Sequence, residues 1–193
     1  RRLAGCLADS LRLSIPLAGG GQPATLSFGI KALAETVATS AIASSTYTAA
    51  SPGYDPVSSI DIAVSTLFGI TTPKVMSLDM TISNSMRDQY AFASASPFGL
   101  GLGAFDVQGS VQLYFTLAAE YSTFMTKQTG LTLDLTLGSV TSNKDQIVMN
   151  QVDVWNPDIT DPGASGDHMV TLQFMGRYKA SDSAAIIWTR NVA

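Results

Sequence analysis

Charge is scarce in this chain. Asp, Glu, Lys and Arg make up 13% of its 193 residues, about half the usual quarter of a globular protein. Ser, Thr, Ala and Gly fill the gap. A soluble monomer normally carries more surface charge. Little charge with much small polar surface suits a protein whose copies cover one another, although secreted β-proteins share the composition. The 11 basic and 15 acidic residues leave a net charge of −4. Tight nucleic-acid binding needs clustered Lys and Arg, so it is disfavoured. The balance does not exclude passive contact with DNA.

Cysteine and histidine are nearly absent too. Cys6 is the one cysteine, which excludes an internal disulfide and a cysteine-rich metal site. It reads as a small core or strand residue. His168 is the one histidine. It sits in a Pro, Gly and Asp loop, and the chain has no Gly-x-Ser-x-Gly elbow to pair with it. No apolar run reaches the ~18–20 residues of a membrane span. Arg1 and Arg2 precede a mildly apolar stretch, but Asp9 and Arg12 spoil it as a signal peptide. The triple glycine Gly19, Gly20, Gly21 lacks the Lys-Ser/Thr ending of a phosphate loop.

What is present is alternation. Leu7 to Ile15 reads as a strand with Leu11, Leu13 and Ile15 on one face, ended by Pro16. The glycine run turns it back into a strand carrying Leu26, Phe28 and Ile30. Residues 31–56 are rich in Ala, Ser and Thr and read as a long loop that orders on a neighbour. Ile60, Ile62 and Val64 mark another strand, followed by a turn at Phe68-Gly69. Later strands are expected at Leu131 to Leu137, Ile147 to Trp155, Val170 to Phe174 and Ile186 to Trp188. Turns are expected at Ser142 to Asp145 and from Asn156 to Asp167.

The chain is organised around residues 78–130. Leu78, Met80 and Ile82 point one way, and Asp79, Thr81 and Ser83 the other. A second strand runs from Phe105 to Phe115, with Phe105, Val107, Val111, Leu113 and Phe115 on one face. Asp106, Gln108, Ser110, Gln112 and Tyr114 hold the other. The period then shifts to about 3.6. Leu117, Tyr121, Phe124 and Met125 would share a helix face opposite Glu120, Thr123 and Lys127, with Thr116 as the cap and Gly130 as the left-handed terminus. Eight or nine successive strands and one helix imply a mainly β fold: an antiparallel β-sandwich or partly closed barrel with one flanking α-helix.

The order of elements in this centre carries a resemblance. Ile82-Ser83-Asn84-Ser85 leads into Met86-Arg87-Asp88-Gln89-Tyr90-Ala91. A glycine-rich run from Phe98 to Phe105, then Asp106 to Val111, Leu113-Tyr114-Phe115 and a helix with Tyr121 and Phe124 follow. This order resembles the tail tube proteins of bacteriophages with long non-contractile (siphovirus-like) tails. The match is strongest over residues 75–137 and extends loosely from Cys6 to the C-terminus. The resemblance implies one tail-tube domain over residues 1–193, with further sequence ahead of Arg1. It also implies a virion structural protein, assembled in the host cytoplasm, whose hexameric rings stack into a hollow tube. The strands of each subunit would join around the ring into a closed inner barrel.

On that reading Asp79, Thr81, Ser83, Asp106, Gln108, Ser110 and Gln112 are candidates for the lumen. Arg87, Asp88, Tyr90, Phe92 and Phe98 are candidates for contacts between subunits. The implied partners are further copies of the chain, a tape-measure protein, tail terminator and tail-tip proteins, and genomic DNA passing without specific binding. No membrane, cofactor, metal or catalytic residue is implied.

Two other readings stay open on the residues alone. A secreted or surface β-sandwich that binds carbohydrate, or an adhesin, fits the composition nearly as well. Trp155 and Trp188 could serve a sugar platform, though strand-like apolar surroundings favour core packing. Asp153, Asp158, Asp161 and Asp167 could hold a hard cation such as calcium. Their spacing fits no EF-hand, and acidic loops are usually solvated. Nothing singles out a pair of carboxylates for hydrolysis.

Overall fold

The fold was read from a computed structural model that describes all residues except 1, 20–21, 38, 41–45, 47–55, 71–72, 115–121, 142, 161–165 and 193. The elements are β1 (Arg2–Ala4), β2 (Leu7–Ile15), β3 (Thr25–Lys31), β4 (Ala34–Thr36), a 3-10 turn at Ser59–Asp61, β5 (Ile62–Leu67), β6 (Val75–Ser83), β7 (Arg87–Gln89), β8 (Gly99–Gly101), β9 (Asp106–Tyr114), β10 (Gln128–Leu137), β11 (Lys144–Thr160), β12 (Met169–Gly176) and β13 (Ile187–Val192).

Nine strands form one antiparallel sheet in the order β3-β2-β6-β9-β12-β11-β10-β5, with β13 beside the start of β11. The sheet curls into a half-barrel, the partly closed alternative of the two expected architectures. The curl brings β5 and β10 over β2, β6 and β9, and the enclosed side chains form one core. Leu13, Leu78, Met80, Val107, Val111, Leu133, Leu135, Ile147, Val152 and Phe174 are all in it.

Alternation alone explains most of this core, because period-2 strands present one apolar face. Gly109 has a second role. It lies opposite Met80 on one side and Phe174 on the other. A Cβ there would sit 2.5 Å from Phe174 Cζ and against the Asp79 carbonyl. The missing side chain is the space that Phe174 fills. The Phe174 ring also packs on Phe68, with centroids 5.6 Å apart.

Several expectations need correction. Ile147 to Trp155 alternates irregularly for a structural reason. The buried set runs Ile147 and Met149, then Val152 and Val154, so it switches from odd to even. The register against β10 shifts at the same place, a bulge. A second shift lies between Trp155 and Asp158, where Asn156 takes φ 55°. It carries β11 past Pro157 to Thr160, through residues expected to form a loop. Lys144 and Asp145 begin β11 and are not part of a turn. Cys6 is exposed between β1 and β2, not in the core. Phe105 lies outside β9 and is exposed; Phe115 is outside the described residues.

The helix is also shorter in view than its pattern. Residues 122–124 are helical, with Phe124 buried and Met125 exposed. Thr116, Leu117, Glu120 and Tyr121 lie outside the described residues. Gly130 is not a helix terminus. It sits inside β10 at φ 74°, where the register to β11 shifts, and a glycine takes such a bulge position without strain. Within residues 31–56, Ala34–Thr36 pairs with Arg2–Ala4, a small sheet with no sequence warning. Most of the remainder of that stretch, and Gly20 and Gly21, lie outside the described residues.

Candidate assembly surfaces

The back of the half-barrel is a polar face built by cross-strand pairs. Asp79 lies opposite Ser110, Thr81 opposite Gln108, Ser83 opposite Asp106 and Ser77 opposite Gln112. All seven lumen candidates are therefore brought together on one face of β6 and β9. The register extends the face further. Ser14, Arg12 and Ser10 of β2 continue it on one side, with Thr25 and Ser27 of β3 beyond them. Thr171 and Gln173 of β12 continue it on the other.

These flanking residues were legible as the polar half of alternating strands, but nothing in the order of the chain says which strands become neighbours. Arg12 donates to Asp79 Oδ1 at 3.0 Å. Both groups are well exposed, so the pair fixes side-chain placement more than it stabilises. On β6, β9 and the flanking part of β2, one cation thus stands against Asp79 and Asp106. Trp155 lines a shallow depression here with Arg12, Gln108 and Gln173; it is not a core residue. Trp188 does pack against the core.

The second surface is the edge of the sheet. Among the described residues, β3 pairs only with β2 over its length. Leu26 lies opposite Leu13 and Phe28 opposite Leu11, so Leu26, Phe28 and Ile30 are on the core side of the sheet. Yet Phe28 is 61% and Ile30 58% exposed. The half-barrel ends before it covers them. A seven-residue edge with an exposed apolar stripe, whose outer backbone groups no described strand pairs, is a template for another strand.

The third surface is an arm. The connection 84–103 is a hairpin of β7 and β8, with Arg87 opposite Gly101 and Gln89 opposite Gly99. Its base is tied to the bulge of β2. Asp9 O accepts from Asn84 N–H and Asp9 Oδ1 from Met86 N–H, each at 2.8 Å. Lys31 Nζ donates to Met86 O at 2.6 Å and stands 4.0 Å from Asp88. Asp88 thus already has a basic neighbour within its own chain. Arg87, Tyr90, Phe92 and Phe98 are exposed. The glycines of β8 are not slack. Gln89 and Arg87 side chains lie across them, and a Cβ at Gly101 would meet both.

The acidic cluster disperses in the fold. Asp153, 6% exposed, takes a 2.9 Å bond from Lys127 Nζ and another from Arg177 Nε. Burial pushes its carboxyl up, but the hydrogen bonds from Lys127 and Arg177 outweigh that and hold it below the usual carboxylate range. Asp158 is in β11, Asp167 is exposed, and Asp161 is outside the described residues. No three metal-binding side chains converge among the described residues. His168 is exposed before β12. No helix among the described residues is long and apolar enough to cross a membrane.

A polar sheet face, an open apolar edge and a projecting arm are features of a subunit. Comparison with known proteins decides of which kind. A family model described as phage tail tube protein matches residues 1–176. The chain belongs to the phage tail tube protein family. A comparison with curated proteins finds no match. The tail tube family is structural and places the chain in the virion tail, where it self-assembles and associates with other tail proteins. A structural role of this kind suggests a protein that is not an enzyme.

Proposed function

We infer that copies of this chain close into hexameric rings and that the rings stack into the hollow tube of a long non-contractile tail. The observation that carries this reading is the half-closed sheet, with its bare edge β3 beside a continuous polar face. An open edge is relieved when a neighbour's strand continues the sheet, and a head-to-tail contact of that kind closes into a ring when the rotation allows. Closure buries Leu26, Phe28 and Ile30. It turns the faces of β2, β6, β9 and β12 to a common side, which becomes the lumen wall.

That wall is of small residues, hydroxyl- and amide-rich, and weakly acidic, since Arg12 offsets one of Asp79 and Asp106. Such a surface repels phosphates without gripping bases, so genomic DNA passes unbound. A tape-measure protein and terminator and tail-tip proteins are the chain's further partners in the tail. The whole chain acts as one tail-tube domain. The test is negative-stain electron microscopy of the purified chain across a concentration series. Hollow rings or tubes are expected. Monomers at every concentration, together with glycan binding, would replace the tube with a carbohydrate-binding module.

A further inference from the structure

The arm has a counterpart at the other end of the molecule. β6 runs from Val75 to Ser83, and the arm leaves just beyond Ser83. At the Val75 end lies a cavity of about 520 Å³, walled by Ile15, Ile62, Val64, Val75 and Leu135, with Lys74 also among its lining residues. A cavity of this size is in the class that receives a compact apolar group. The two features are opposite poles of the same strands. Ile15 pairs with Leu78 at the cavity pole, whereas Ser10 pairs with Ser83 at the arm pole. Eight residue steps of strand separate Val75 from Ser83, about 26 Å. The arm is tied at its base to Asp9 and Lys31 at the opposite pole, so in this fold it does not lie in its own cavity.

We propose that the aromatic arm of one copy, led by Phe92, inserts into this apolar cavity of a copy in the next ring, and that this knob-and-socket contact sets the stacking of the tube. The proposal rests on the tube reading above and names the contact that joins one ring to the next. The occupant is a second copy because the chain is a self-assembling tube subunit and its own arm matches the cavity in chemistry. Phe92 is fully exposed, and Tyr90 and Phe98 of the same connection are exposed too. Residues 87–92, extended, reach roughly 20 Å, enough to enter a neighbour. Lys74 can meet an incoming ring face as a cation over an aromatic. Knob and socket occupy different sites on one chain, so the contact is heterologous. Along an axis it repeats without closing, as stacking requires.

The test uses the full chain. Phe92→Ala removes the knob from an exposed site, so folding is unaffected. An aromatic anchor of this kind is worth about thirtyfold in affinity. The concentration at which tubes appear by electron microscopy should rise by that factor, while single rings persist. A second experiment reads proximity directly. In a Cys6→Ser background, required because Cys6 is exposed, chains carrying Ala91→Cys, which keep Phe92, are mixed with chains carrying Ala18→Cys, at the cavity rim. Assembly and oxidation should give the mixed disulfide dimer as the main product. Tubes of wild-type yield from Phe92→Ala, with no mixed dimer, would overturn the socket and leave the tube reading standing. A wild-type chain that forms no rings at all would overturn both.

Discussion

Phe174 and Phe28 are the same residue type on the same side of one sheet, and their surroundings are opposite. Phe174, in β12, is 0% exposed among β6, β9 and the Phe68 ring; Phe28, in β3, is 61% exposed, and among the described residues β2 is the one strand that pairs with β3. Both follow the same alternation. The difference is position across the sheet: the curl that brings β5 and β10 over the middle strands does not extend to the edge. Fully burying a side chain of this size is worth about 1.5–3 kcal/mol. In the middle strands that energy holds the chain folded. At β3 and on the arm it is left for contacts between copies.

The largest effect should come from the closed region. Phe174→Ala removes the ring packed over Gly109 and should cost about 3–5 kcal/mol, read as a fall in chemical-denaturation midpoint. Gly109→Ala approaches the same spot from the other strand. Its new Cβ meets Phe174 and the Asp79 backbone, and overpacking of this sort costs about 1–3 kcal/mol. If both variants lose little, the Phe174–Gly109 fit is not what orders the middle of the sheet.

Asp153→Asn comes next. It leaves Lys127 and Arg177 without their shared carboxylate. Both cations are half exposed, so water offsets part of the loss. The cost should be about 1–2 kcal/mol, below the roughly 3–5 kcal/mol of a fully buried broken pair. The pH dependence has a definite sign. The folded carboxyl lies below its unfolded value. Its stabilisation is therefore full above the ordinary carboxylate range and is lost as pH falls below about 4. Urea titrations of the Asn variant should show a shallower loss below that pH than wild type. An unchanged acid slope would mean that Asp61 and Asp182, also held low by hydrogen bonds, carry the effect.

The smallest stability effect belongs to the open region. Phe28→Ser should change the monomer's thermal midpoint by the equivalent of less than about 0.5 kcal/mol, as exposed substitutions do, yet reduce ring formation severely. A large loss of monomer stability would mean that β3 belongs to the fold and not to the interface.

Much of the fold was legible because alternation survives translation into faces. Leu13, Met80, Val111 and Leu135 were placed inward by period alone. What was not legible depends on neighbours. The pattern of Leu26, Phe28 and Ile30 matches that of the core strands, and only the order of strands shows that no described strand lies beyond them. The β11 bulges break the period at Asn150–Gln151 and at Asn156, so a seventeen-residue strand reads as a shorter strand and a loop. β7 and β8 have three residues each, too few for a period to show. The Asp79–Ser110 and Thr81–Gln108 pairings were implicit in the two strongest alternating runs. Their extension to Arg12 and Gln173 needed the register.

Amide hydrogen exchange on the free chain and on the assembled tube tests the division between closed and open regions most directly. The account predicts that amides of residues 25–31 and 87–101 gain protection on assembly, while those of β9 and β11 are already protected in the free chain and change little. No gain of protection in β3 and the arm on assembly would contradict it.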